Sequence, residues 1–139
     1  MKRHHRFVLV LIGVLLALLG LSLVSTRTDR NYNSAKTISQ TREIARACAY
    51  YRDWKRNPGN KLPTTLSDLI RPPWGGERFL DSEYQLIDPW GQPYRYTALT
   101  NVKGEQEVYV WSERTVGGQL KLLGAKRRAD GAIETFGLD

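Results

Sequence analysis

Residues 7–24 form a run of eighteen positions without a single charge, in which two glycines and one serine are the only breaks among alanine, bulkier aliphatic and aromatic side chains. An amphipathic helix of a globular domain would show a polar side chain every three or four residues, and this run shows no such period. Wound as a helix at about 1.5 Å per residue it would reach roughly 27 Å, close to the thickness of a bilayer's hydrocarbon core. A transmembrane helix is therefore expected over 7–24. Lys2, Arg3 and Arg6 stand directly before the run, and positive residues at the end of a span are retained in the cytoplasm. The reading that follows is a basic cytoplasmic flank at 1–6, a juxtamembrane segment at 25–33 and a folded domain at 34–139 on the far side. Arg27 and Arg30 oppose that orientation from the other end. His4 and His5 belong to the basic flank and have no nearby Cys or Asp with which to build a metal site. A cleaved secretory signal is the competing reading. The run exceeds the usual apolar core of about 7–15 residues, and its best cleavage triplet, Gly20-Leu21-Ser22, lies inside the apolar stretch, so an uncleaved anchor is expected.

The formal charge of +7 is unevenly placed: residues 1–6 carry +3, residues 27–56 carry +5, and residues 57–139 carry −1. A basic excess beside the expected membrane suits anionic headgroups or an acidic protein partner better than nucleic acid. The cluster Lys126-Arg127-Arg128 has no interleaved aromatics and reads as a solvated edge or turn. A chain of 139 residues with one segment given to the membrane leaves enough for one small domain. Cys48 is the single cysteine; it cannot form an internal disulfide and is expected to be a buried structural thiol.

From Ser34 to Arg56 the residues Ile38, Ala45, Cys48 and Tyr51, with Ile44 and Trp54 beside them, recur at helical spacing, while Arg42, Glu43, Arg46, Arg52 and Lys55 fall on the opposite side. Asn57-Pro58-Gly59-Asn60 is expected to end this helix, since proline cannot extend it and glycine and asparagine suit a left-handed turn. Thr65 with Asp68 three residues later has the pattern of a capping box, which starts a short helix that Pro72-Pro73 stops. Trp74–Glu83 reads as a loop in which Phe79 and Leu80 anchor the backbone to the core. The period then changes. Pro93–Leu99, Glu105–Trp111, Gln119–Leu123 and Ala132–Phe136 are rich in aromatic, β-branched and aliphatic residues and are separated by turns such as Val102-Lys103-Gly104 and Val116-Gly117-Gly118. One long helix followed by consecutive antiparallel strands is an α+β plan, with the sheet covering the helix's apolar face.

The most specific local pattern is Asp88-Pro89-Trp90-Gly91-Gln92-Pro93-Tyr94. Proline sets one dihedral, glycine permits a positive one, and Trp90 and Tyr94 are placed to pin the turn on the core. With this turn the chain, from about Phe7 to Ser112, resembles the major pseudopilin of the bacterial type II secretion system. That family has a membrane helix continuing into the spine of a small domain, a Pro-Thr-Thr segment, a D-P-W-G-x-P-Y turn and a short antiparallel sheet. Pro63-Thr64-Thr65 and Leu69 match the first motif. Asp88 to Tyr94 matches the second, with Gln92 at its variable place and Tyr96 continuing it, and Tyr109-Val110-Trp111-Ser112 looks like the family's strand ending in serine. The resemblance implies a pilin-like fold: an N-terminal transmembrane helix continuing into an amphipathic spine helix packed on a small antiparallel sheet. It also implies a bacterial inner-membrane protein with a periplasmic domain, whose partners are other pseudopilins, secretion-platform membrane proteins and membrane lipids.

Two stretches depart from the pattern. Aligned on Phe7, Arg6 stands where family precursors have the glycine that precedes cleavage by prepilin peptidase, and Leu11 stands where the mature family chain has its fifth-position glutamate. Where the family has a glycine- and aspartate-rich calcium loop after the matched serine, this chain has Glu113-Arg114-Thr115-Val116. Calcium takes six to eight oxygen ligands, usually with clustered carboxylates, and Arg114 sits badly in such a cluster. Asp130-Gly131 and Glu134 form the later pattern closest to one. No cofactor is expected, calcium being the single candidate. Phosphate-binding glycine loops, zinc spacings and a Ser/His/Asp set are all absent from the sequence. Asp81, Glu83 and Asp88 read as a solvated acidic loop. A non-enzymatic protein is expected, either a component of a pseudopilus or a stand-alone membrane-anchored binding module with a pseudopilin-like domain.

Overall fold

Helical spacing of small and apolar side chains builds α1, which covers residues 31–53 in the computed structural model, where residues 31–137 are described. Its buried stripe is Thr37, Thr41, Ile44, Ala45, Cys48 and Tyr51, each at most 4 % exposed. The stripe is thus longer than the apolar residues alone indicate. Thr37 and Thr41 join it because a hydroxyl on a helix can be satisfied locally, as Thr41 does by donating to the Ile38 carbonyl at 3.1 Å. Ile38 and Trp54, read as part of the core face, lie half-buried at its margins. The helix also ends before Arg56. Asn57, itself buried, turns its side-chain amide onto the Tyr51, Arg52 and Lys61 carbonyls at 2.8, 3.2 and 2.7 Å. Acceptors left open by the last turn of the helix are met by this one side chain. Asn60 follows with a φ of 49°, the left-handed conformation that asparagine tolerates.

Four strands, β1 (Arg95–Thr100), β2 (Gln106–Val116), β3 (Gln119–Arg127) and β4 (Ile133–Phe136), form an antiparallel meander in the order β1-β2-β3-β4. The expected strands are present, and the middle pair is longer than the pattern suggested. Gly117 and Gly118, with φ of 57° and 77°, form a two-residue hairpin turn, the tight connection whose twist matches that of its strands. Pairing therefore runs from Val116↔Gln119 through to Val108↔Arg127. Alternation puts Val108, Val110 and Ser112 of β2 and Leu123 and Ala125 of β3 on the buried face. Ile44, Leu69 and Val110 are the largest apolar side chains with almost no exposure.

Between helix and sheet the chain is held by short capped turns. The 3-10 turn Leu66–Leu69 starts at Thr65, where Asp68 Oδ2 accepts the Thr64 and Thr65 N–H groups at 2.8 and 3.0 Å. A second turn, Glu83–Leu86, repeats the device with Gln85 Oε1 accepting from Asp81 and Ser82 at 2.7 and 3.2 Å. Phe79 and Leu80 anchor their loop by donating to the Leu69 carbonyl at 2.7 and 3.2 Å. Phe79 also meets the rings of Tyr51 and Trp54 edge-on.

Ser34–Asp139 form one compact α+β unit. The expectation of a fold built on a transmembrane helix continuing into the spine is corrected here. Among the described residues no helix is long and apolar enough to cross a membrane, because α1 carries Lys36, Arg42, Glu43, Arg46, Arg52 and Asp53 along its length. It is an amphipathic helix covering one face of a sheet. The flank read at 1–6, the span read at 7–24 and the segment 25–30 lie outside the described residues.

Candidate functional site

Asp88 organises the most distinctive local structure. It is 4 % exposed, so the reading of Asp81, Glu83 and Asp88 as one solvated loop holds only for the first two, which are exposed. A buried carboxylate must be compensated by hydrogen bonds. Oδ1 accepts the Trp90 and Gln92 N–H groups at 3.0 and 2.8 Å, and Oδ2 accepts the hydroxyl of Ser112. The backbone closes the same turn: Asp88 N–H donates to the Gln92 carbonyl at 2.7 Å and Gly91 N–H to the Asp88 carbonyl at 3.0 Å. Gly91 has φ 83°, which a side chain would strain. Pro93 is exposed and bridges back to Ile87.

Tyr94 carries the turn into the core. Its ring is buried and its hydroxyl donates to Gln40 Oε1 of α1 at 2.8 Å. Burial raises the Tyr94 phenol well above its ordinary range, with a bond to Thr37 opposing the shift. Tyr96, raised by burial in the same way, donates to the Pro63 carbonyl at 2.9 Å. Pro63 is buried while Thr64 and Thr65 are exposed and use their backbones to cap the 3-10 turn. The two separated motifs, Pro63–Thr65 and Asp88–Tyr94, are thereby brought to one side of the sheet, with Ser112 of β2 joined to the second.

Trp90 behaves differently from the expectation. It is half-buried, as is Pro89, and the Arg114 guanidinium stands over its ring at 4.1 Å from the centroid, a cation–π geometry. Arg114 itself belongs to β2, as do Glu113, Thr115 and Val116. Residues 113–116 pair with Gln119–Leu122 and so continue a hairpin in place of a ligand loop. The other acidic pattern is also engaged: Asp130 and Glu134 each meet Arg128 at 3.1 Å. Among the described residues no group of three His, Cys, Asp or Glu is placed to hold a metal. Arg6, Phe7 and Leu11, the processing-site equivalents, lie outside the described residues.

Three parts of this arrangement escaped the sequence. Gln40 and Thr37 are polar residues of a helix, and nothing in their spacing marks them as partners of Tyr94, which follows Gln40 by 54 positions. Ser112 was legible only as the end of a strand. No family model, curated protein or solved structure matches this chain. Its reading rests on the geometry above.

Cys48 lies at the centre of α1's buried face, 0 % exposed. Burial pushes its thiol up to about 12, with its own backbone and Arg127 partly offsetting the effect. A thiol held protonated is a poor nucleophile, and Cys48 packs as a small apolar side chain.

Proposed function

We propose that the chain is a non-enzymatic, pseudopilin-like structural or assembly component of a type II secretion apparatus. The observation that carries this reading is the link between Asp88 and Ser112. These residues belong to two motifs of the resemblance, the D-P-W-G-x-P-Y turn and the strand ending in serine, and a hydrogen bond from β2 to the turn gives both a common structural purpose. The helix covering a four-stranded meander supports the reading in a coarser way. The domain works on the periplasmic side of a bacterial inner membrane. Its partners are other pseudopilins, platform membrane proteins and membrane lipids, without nucleic acid, and it requires no cofactor.

Affinity isolation of the full chain from the membranes of its own bacterium, followed by mass spectrometry, tests the proposal. Enrichment of pseudopilins or platform subunits is the expected result. Recovery of the chain without any of them would overturn it in favour of a stand-alone binding module. That second reading draws on Arg6 and Leu11 at the processing positions and on the β2 strand that occupies residues 113–116. Intact-mass measurement of the same material is expected to give the unprocessed chain with Arg6 still joined to Phe7. A chain beginning at Phe7 would mark ordinary pseudopilin processing.

A further inference from the structure

Three hollows follow one another along the exposed side of α1. The first, about 270 Å³, is lined by Ala35, Ile38, Ser39, Arg42 and Arg46. The second, about 370 Å³, has Arg42, Arg46, Tyr50 and Asp53 on the helix side and Arg127 and Ile133 on the sheet side. The third, about 360 Å³, lies among Tyr50, Asp53, Trp54, Arg78 and Phe79. Arg42 and Arg46 are common to the first two, and Tyr50 and Asp53 to the second and third. Successive members of the i, i+4 row of one helix therefore line a single furrow.

Its first two hollows are predominantly basic, with Asp53 the one carboxylate in their lining. Arg42, Arg46 and Arg127 form no ion pair among the described residues. The carboxylate beside them, Asp53, is hydrogen-bonded by Arg52 at 2.7 and 3.1 Å and also feels the charge of Arg127, while Glu43 on the same helix accepts from Gln85 at 3.2 Å. None of the three guanidinium groups has its fork closed on a carboxylate of the described residues, and each has the planar geometry that matches one. At the far end the character changes: Trp54 and Phe79, both half-buried, meet edge to face at 5.8 Å and offer an apolar seat.

We infer that this furrow docks an extended acidic segment of a partner protein, its carboxylates along Arg42, Arg46 and Arg127 and an apolar side chain against Trp54 and Phe79. The hollow lined by arginines from both α1 and β3 and closed at one end by aromatic rings favours a polypeptide over a membrane. The aromatic end and the mixed charges of Asp53, Glu77 and Arg78 there favour it over a nucleic acid, which would want a continuous basic track. This inference goes beyond the secretion reading and stands on the furrow alone. A chain that binds the acidic peptide yet isolates without pseudopilins would keep it and overturn the other.

The test uses the full chain in mild detergent and fluorescence anisotropy. The probe is a labelled peptide of alternating aspartate and glutamate with leucine at both ends. The comparison probes are its lysine counterpart, phosphatidylglycerol vesicles and single-stranded DNA. Saturable binding of the acidic peptide is expected, weakening steeply between about 0.02 M and about 0.3 M salt. The Arg42→Ala/Arg46→Ala pair should weaken it at least about tenfold and Arg127→Ala measurably, with lysine replacements intermediate. Trp54→Ala should weaken the leucine-flanked peptide more than one flanked by glycine. Circular dichroism melts establish that each variant is folded; both helix arginines are exposed, and Arg127→Ala gives an independent reading if the double variant fails to fold. Absence of binding, binding indifferent to these arginines in folded protein, or tighter binding to vesicles or DNA than to the peptide would overturn the inference.

Discussion

Trp90 and Tyr94 belong to one turn, yet only Tyr94 is part of the core. Trp90→Ala therefore removes a half-buried ring and its contact with Arg114, and a loss of about 1–2 kcal/mol is expected in denaturant melts of the full chain. Asp88→Ala should cost more, about 3–5 kcal/mol, because two backbone donors and the Ser112 hydroxyl lose a buried charged acceptor together. Equal losses for the two variants would contradict the different roles given to them. Cys48 supplies a chemical check. Its thiol titrates near 12 in the folded chain against an ordinary 9.0, so the contribution to stability is complete below pH 9 and is lost as pH rises towards 12. Once pH exceeds both values that contribution is gone and the fold is weaker. Tyr94 and Tyr96, raised in the same direction by burial, add to the same alkaline loss. A thiol reagent at pH 8 should leave Cys48 unmodified until denaturant is added; rapid reaction of the native chain would show the thiol to be accessible.

Capping and close approach matter most among the elements. Asp68→Ala uncaps the 3-10 turn by freeing the Thr64 and Thr65 N–H groups, a loss of about 1 kcal/mol. Gly124 lies in β3 opposite Trp111 of β2, and a Cβ built there would collide with the Val110 carbonyl and come within 2.7 Å of Trp111 Cβ. Gly124→Val is therefore expected to destabilise the sheet by about 1–3 kcal/mol or more through overpacking, whereas Val102→Ala, at a fully exposed loop position, should be near neutral. The expected strand Gln119–Leu123 stopped short of Gly124, so its place inside β3 came only with the structure. Its necessity comes from the close approach of the neighbouring strand, first of all of the Val110 carbonyl.

For the whole molecule, calcium gives the sharpest expectation. Residues 113–116 are hydrogen-bonded strand, Arg114 covers Trp90, and Asp130 and Glu134 are engaged by Arg128. Melts in calcium and in chelator should superimpose. A bound ion at about a hundred times its dissociation constant would add roughly 2.7 kcal/mol, and a shift of that size would point to ligands rearranged around Ser112 and Asp130. Both long-range tyrosine bonds, Tyr94 to Gln40 and Tyr96 to Pro63, tie the sheet to the helix and its following loop, so loss of either hydroxyl should lower the melting temperature of the domain as a unit.

Local rules determined much of this protein from the sequence. The alternation of apolar residues placed the strands, the Gly117-Gly118 pair marked a hairpin, and Thr65 with Asp68 marked a helical start, because each depends only on neighbours along the chain. The second capped turn, Glu83–Leu86, obeys the same rule; reading Trp74–Glu83 as a loop passed over its signal, Ser82 with Gln85. Tertiary structure alone decided the partners. Thr37 and Thr41 entered the core face of α1 because the rest of the fold covers them, Asp88 found Ser112 because the meander folds back 24 residues later, and Asn57 capped α1 by reaching Lys61 as well as the helix end. The arginine furrow has the same origin: Arg42 and Arg46 face Arg127 because β3 packs beside α1, and no spacing within the helix could have indicated a cation from the sheet.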